Sequence, residues 1–229
     1  DQVVDIEAQK ALEAAGGDPD AGEDEEDEDG MVAVDDEEEE ADRKIAVEVL
    51  AAAKKGMRDV VLLMATRPED ESLQFWCLDA IASLGAGNEG NRGVAAASKG
   101  IELIAAALKR FIENKRVVVK ACWAVSIMSA DYAADLGDAD CVELLVQAMQ
   151  EQPANYDLQA VGTRALANLV VDEANLRRAR ACGAAGRVQF VIDANPDDGQ
   201  LIFRAQQLLD KLAPSGGAGG SRLEHFQSR

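Results

Sequence analysis

One repetition constrains this chain more than any other feature. Four stretches with helical periodicity, QFWCLDAI (74–81), ACWAVSIM (121–128), GTRALANL (162–169) and AQQLLDKL (205–212), align on a central apolar residue. These residues are Leu78, Val125, Leu166 and Leu209, spaced by 47, 41 and 43. A second set precedes three of them. IELIAAAL (101–108), VELLVQAM (142–149) and AGRVQFVI (185–192) end on Leu108, Met149 and Ile192, each seventeen residues before the next central residue. Two families of helix keep one register, which predicts a unit of about 42 residues with a short, a mid-length and a long helix. A single unit of this kind cannot bury its apolar face, whereas stacked units share one continuous core.

The remaining pattern agrees with an all-α chain. Alanine and leucine recur at three- and four-residue spacings, and β-branched alternation is too rare for a sheet. Pro153 and Pro196 fall between the second and third helices of their units, where helix breakers belong. Asn155 or Asp157, and Asp197 or Asp198, can cap the helix that follows. Ala121, Ala165 and Ala205 allow helices to approach closely, and length differences collect after the long helix, as in GAGNEGNRGVAAASK (85–99). The segment 42–66 reads as a helix pair, either a cap or the back half of a first unit. No apolar run reads as long enough to cross a membrane, and no signal-peptide pattern occurs. The start at Asp1 rather than Met gives the expectation of a processed or excised piece.

Charge divides the chain. The formal net charge is −20, yet residues 1–42 carry twenty acidic side chains against one lysine, so the remainder is close to neutral. Like charges at that density repel and leave little apolar surface to bury. Residues 1–41 are therefore expected to be an acidic, mostly disordered tail, with 16–41 disordered or a frayed helix. A short amphipathic helix is expected at 1–15, through Val3, Val4, Ile6 and Leu12. Residues 42–213 form the helical domain, and 214–229 a flexible C-terminal tail in which Leu223 and Phe226 offer a small docking motif. Nucleic acid is not expected as a partner of the acidic end because phosphate would be repelled. Basic proteins suit it through electrostatic steering. Two basic runs, Lys109, Arg110, Lys115, Arg116 and Lys120, and Arg177, Arg178 and Arg180, read as solvated helix faces or as patches onto which the acidic tail folds back.

No catalytic or metal constellation emerges. Cys77, Cys122, Cys141 and Cys182 form no C-x-x-C pair and read as buried free thiols, which fits a reducing compartment. The single histidine, His225, lies in the C-terminal tail. GAGNEG (85–90) matches G-x-G-x-x-G, but that motif holds pyrophosphate only between a strand and a helix, and CLDAIASL before it has helical period. EEDEDGMVAVDD (25–36) resembles a calcium loop, but Glu25 and Asp36 stand where Asp and a long bidentate Glu belong. No cofactor, metal or small-molecule substrate is expected.

The residues resemble a known family. RALANLVVDEANLRRARACGAAG carries Asn168, Asn175, Arg177 and Gly183 in the order "A-L-x-N-L, acidic turn, Asn-Arg, Gly" of armadillo repeats, and NEGNRGVAAASKGIELI (88–104) is a second good copy. Residues 115–156 are a poorer copy, lacking the Asn after the long helix. The resemblance covers roughly 42–213 and implies a right-handed α-solenoid, an armadillo-repeat superhelix of about three to four repeats, with the third helix of each lining a concave groove. Such a surface is expected to bind a partner peptide or helix. The groove set would be Trp76, Trp123, Arg164 and Gln207, with Ala80, Ile127, Asn168 and Lys211 one turn later. Trp and Arg dominate binding hot spots, although the Trp rings also suit helix contacts within the core. Nuclear import adaptors of this family hold basic peptides with a W-x-x-x-N ladder. Here Trp76 is followed by Ala80, Trp123 by Ile127, and Asn168 is preceded by Arg164 instead of Trp. The ladder is broken, so import-signal binding is not expected, and Asn168 equally suits a backbone hydrogen bond between repeats.

These readings converge on a non-catalytic interaction scaffold or adaptor, a subunit of a larger assembly. The alternative is a chaperone or transport adaptor whose acidic tail shields basic clients. Protein partners are expected, with no nucleic acid, membrane or small molecule. The cytoplasm is the expected compartment, with nucleus, cilium or organelle left open by the start at Asp1.

Overall fold

A computed structural model of the chain describes residues 32–213. The described residues are all helical, with no strand among them. The helices are α1 (Val32–Lys55), α2 (Met57–Thr66), α3 (Glu71–Gly85), α4 (Glu89–Ala97), α5 (Gly100–Arg110), α6 (Lys115–Asp138), α7 (Cys141–Glu151), α8 (Tyr156–Leu169), α9 (Glu173–Ala181), α10 (Ala184–Ala194) and α11 (Gly199–Leu212).

Local chemistry explains where they begin. Asp70, Asn114, Asn155 and Asp198 cap α3, α6, α8 and α11, and Asn88 and Asp172 cap the short α4 and α9. Each side chain accepts a backbone N–H from the first turn and so satisfies a donor the helix cannot. Helices α5, α7 and α10 start differently. They follow a residue in the left-handed region, Lys99 (φ 66°), Asp140 (φ 61°) and Gly183 (φ 80°), with no side-chain cap.

Packing then sorts the helices into rows. The long helices α1, α3, α6, α8 and α11 each lie against the next, and α2, α5, α7 and α10 form a second row beside them. The core runs between the rows. Leu78, Val125 and Leu166 are fully buried in it, as are Leu108 and Met149. Leu209 and Ile192 are only half-buried at the edge of that core, and Leu208 and Val191 take the interior places on α11 and α10. No described helix follows α11 to cover its far side.

Two expectations need adjustment. Of the two states expected for 16–41, disordered or a frayed helix, the described part takes the helix, since α1 begins at Val32, ten residues before the expected start of the helical domain. Within it Arg43 reaches back to Glu39 (2.5 Å) and Lys44 to Glu40 (2.8 Å), the four-residue pairing that supports an exposed helix. The boundary expected at 42 marks something else: half-buried Asp42 accepts a hydrogen bond from Trp76 Nε1 (3.3 Å) and faces Arg116 (3.7 Å). The rest of the tail, including 1–15, the start of the calcium-like segment and residues 214–229, lies outside the described residues.

Second, no separate short helix follows the long one in 115–156. Helix α6 continues past a bend at Tyr132 (φ −125°, ψ 35°) to Asp138. SADYAAD contains no Gly or Pro, and its Asp131, 41 residues before the capping Asp172, is taken by Arg92 (2.6 Å) instead of capping a new helix, so nothing there stops the helix. The same helix reaches the length and mean hydropathy, 1.3, of a membrane crossing, which the sequence reading had not credited to any segment. Half of that window is buried here, against α3, α5 and α8.

Candidate functional site

The long helices position the candidate residues. A groove of about 450 Å³ opens across α6, α8 and α11, lined by Val119, Lys120 and Trp123, then Asp157, Ala160, Val161 and Arg164, then Arg204. Trp123 and Arg164, both expected on a groove, are brought together in it. The other expected residues are elsewhere. Trp76 on α3 packs edge-on against Phe75 and gives its N–H to Asp42. Gln207 and Lys211 are exposed on α11 outside the lining. Asn168 is half-buried, and its Nδ2 donates to the Ser126 carbonyl (3.1 Å) on the preceding long helix. That is the structural use its position in the broken ladder allowed.

The groove therefore extends one turn toward the N-termini of the long helices from Trp123 and Arg164, not toward Asn168 and Lys211. Lys120, Val161 and Arg204 occupy equivalent places in the sequence alignment, 41 and 43 residues apart. Sequence reading named Lys120 only as part of a basic run and missed Arg204. The alignment was the available signal: each lies three residues before a position already singled out.

Electrostatics separates two kinds of cation. Most of the basic runs are occupied. Arg110 pairs with Glu69, Lys120 with Asp79 (2.5 Å) and Arg178 with Asp138 (2.8 Å), while Arg180 donates to the carbonyls of Lys211, Leu212 and Ala213. Lys120 also sits over the Phe75 and Trp123 rings, at 5.3 Å from each centroid, a favourable approach of a cation to the π face. Arg164 and Arg204 differ, since neither has a carboxylate partner among the described residues. Arg164 Nε donates to Ser126 Oγ (3.1 Å). Burial lowers the pKa of its guanidinium, and the neighbouring positive charge of Arg204 lowers it further. Asp157 is the one carboxylate in the lining.

The thiols are placed as buried side chains. Cys77, Cys122 and Cys141 are buried and Cys182 is half-buried, and all are free. Burial pushes the Cys77 and Cys141 thiols up to about 12, and Cys122 higher still. At neutral pH they are protonated and unreactive as nucleophiles. Gly85 closes α3 and Asn88 caps α4, so GAGNEG joins two helices and has no preceding strand to form a dinucleotide turn. Among the described residues no three His, Cys, Asp or Glu side chains gather as a metal site.

No protein-family model matches the chain, and no curated protein sequence matches it. Among solved structures it is similar to the crystal structure of a protein described only as engineered. The TM-score is 0.60 over 80% of this chain and 76% of that one, at 19% identity, which is a likeness of fold alone.

Proposed function

We propose that residues 42–213 form an armadillo-type α-solenoid of three to four repeats, and that it serves as a non-catalytic scaffold or adaptor. Several observations support the repeat reading. Lys99, Asp140 and Gly183 adopt one backbone conformation at intervals of 41 and 43 residues. Side chains of later helices bond backbone 42 residues earlier, Asn168 to Ser126 and Asn175 to Ala133 (2.6 Å). Each interaction repeats one offset along the stack, as nearest-neighbour interfaces in a solenoid do.

The observation that carries the scaffold reading is the groove itself. Three successive long helices present Trp123, Arg164 and Arg204 beside apolar Val119 and Val161. Rigid helices hold these side chains in place, so an extended peptide meets a preformed surface and the ordering cost on this side is small. Protonated, buried thiols support a non-catalytic role, and four free thiols fit a cytoplasmic setting.

Panning a peptide-display library on the full chain tests this reading. It requires an enriched sequence pattern whose binding falls at least about tenfold in Trp123→Ala, by the truncation of a hot-spot residue. Equal binding by Trp123→Ala, or enrichment of no pattern, overturns the groove as a binding surface.

A second reading rests on the charge division: an adaptor for basic clients using the acidic end, where Glu38, Glu39 and Glu40 are exposed on α1. Capture of histones or ribosomal proteins that disappears when those and the preceding carboxylates become amides, with Trp123→Ala harmless, favours this one.

A further inference from the structure

Of the two basic runs offered by the sequence as landing sites for the acidic segment, Arg110, Arg116, Lys120 and Arg178 are already held in ion pairs within the body and Arg180 by backbone carbonyls. Two cations without an ion pair among the described residues, Arg164 and Arg204, lie in the groove. Both line it, close enough for one to act on the ionisation of the other, although Asp157 shares the lining and Asp198 feels the charge of Arg204. Two like charges held together on a half-buried surface create a site that favours an anion. Beside them, Lys120 and Trp123 extend the same surface along α6.

We propose that the occupant of this groove is the chain's own acidic segment DPDAGEDEEDED (18–29), laid across α6, α8 and α11 with carboxylates on Arg164 and Arg204. The inference rests on the reading of the groove as a peptide-docking surface and names the peptide. Charge complementarity points to it: nine of those twelve side chains are carboxylates, whereas the body after residue 42 is nearly neutral. Asp157 in the lining and Asp198 beside Arg204 oppose an anion, and Asp79 is engaged by Lys120. A dense row of carboxylates places several near the cations in any register, so the segment tolerates these two opposing charges.

Reach agrees. Asp42 of α1 touches Trp76 and Arg116, and Arg116 is one turn before Lys120 on α6. From Asp42 back to Val32 the helix rises about 15 Å. Crossing from α6 to α11 takes two interaxial spacings, about 20 Å. Residues 18–31, if extended, span up to about 48 Å, more than the return and the crossing together. Tethering also makes docking intramolecular, at an effective concentration in the millimolar range, so weak charge-assisted contacts suffice.

Amide NMR of the full chain tests the inference. In Arg204→Gln the signals of residues 18–29 should move toward the positions they take in about 0.5 M salt, where exposed charges are screened. Reciprocally, converting the carboxylates of 18–29 to amides should shift the Trp123 indole N–H signal and leave that of Trp76 in place. Arg204 is exposed and holds no hydrogen bond or ion pair among the described residues, so its replacement leaves the fold intact, as a thermal melt verifies. Arg177→Gln, an exposed cation on α9, is the control. Unmoved 18–29 signals in Arg204→Gln, or an equal response to Arg177→Gln, overturn the proposal, the latter by showing diffuse attraction. The two readings fail separately: a groove that binds display peptides while 18–29 ignores Arg204 keeps the scaffold and loses this occupant. One that holds 18–29 yet binds no display peptide even after the carboxylates of 18–29 are converted to amides keeps this occupant and loses the scaffold role.

Discussion

Replacing Gly137 with Ala should be costly, and the cost should change sign when one other residue is removed. Gly137 lies in the last turn of α6, where a Cβ would stand 1.7 Å from Asn175 Oδ1 and 2.6 Å from its Cγ. The Asn175 side chain is buried, and its Nδ2 donates to the carbonyls of Ala133 (2.6 Å) and Leu169 (3.2 Å). Alanine at 137 cannot coexist with that amide, so the amide must swing away and both bonds break. Each net bond is worth about 1 kcal/mol, and a stranded buried acceptor costs about 1–3 kcal/mol. Against this, Gly→Ala within a helix gains about 0.5–1 kcal/mol. Gly137→Ala should therefore destabilise by about 2–4 kcal/mol, and Asn175→Ala, which loses the same bonds, by a similar amount. In an Asn175→Ala background the obstacle is gone, and Gly137→Ala should then stabilise by about 0.5–1 kcal/mol through helix propensity alone. Urea unfolding followed by circular dichroism, with unchanged slope, measures all four corners of this cycle. Equal destabilisation by Gly137→Ala in both backgrounds would refute the collision and place the loss in α6 itself.

Lys99→Gly should raise stability by about 0.5–1 kcal/mol, because its left-handed backbone strains an L side chain. Gly183→Ala should cost about 1 kcal/mol although its Cβ would meet nothing within 4 Å; chemical denaturation of both variants checks this. Asp198 caps α11 and accepts from Tyr156 Oη (2.5 Å), and the Leu201 backbone N–H, then the Tyr156 hydroxyl, lower its pKa. Its stabilisation is thus present above the ordinary carboxylate value of about 3.9 and is lost as pH falls through the lower folded value. Asp198→Asn should flatten that acid limb in a pH series of melts, and an unchanged limb would exclude this cap as its source. With a thiol reagent at pH 8, half-buried Cys182 should react first, and Cys77, Cys122 and Cys141 only at the rate of opening; simultaneous labelling of all four in the native state would contradict their burial.

Helix capping and apolar periodicity act over a few residues, so sequence alone determined an all-α chain and much of its interior. Asn155 and Asp198 were among the named caps, and Leu78, Val125 and Leu166 were placed in the core. Other features depend on neighbours brought in from about 40 residues away. An apolar stripe fixes which side of a helix faces inward, but the adjoining helices decide which turn of its outer side opens into a groove. That is why Trp123 and Arg164 were legible while Arg204 was not, and why the groove turned toward Lys120 and Val161 and left Asn168 to bond Ser126. Tertiary structure alone likewise decided that the basic runs spend their charge on Glu69, Asp79 and Asp138. The continuation of α6 through Tyr132 has a local part, the absence of Gly and Pro, and a tertiary part, Arg92 holding Asp131, and packing gave it consequence by setting Gly137 against the Asn175 amide. A side chain's charge is written in the chain; whether that charge is already answered depends on what the fold brings beside it.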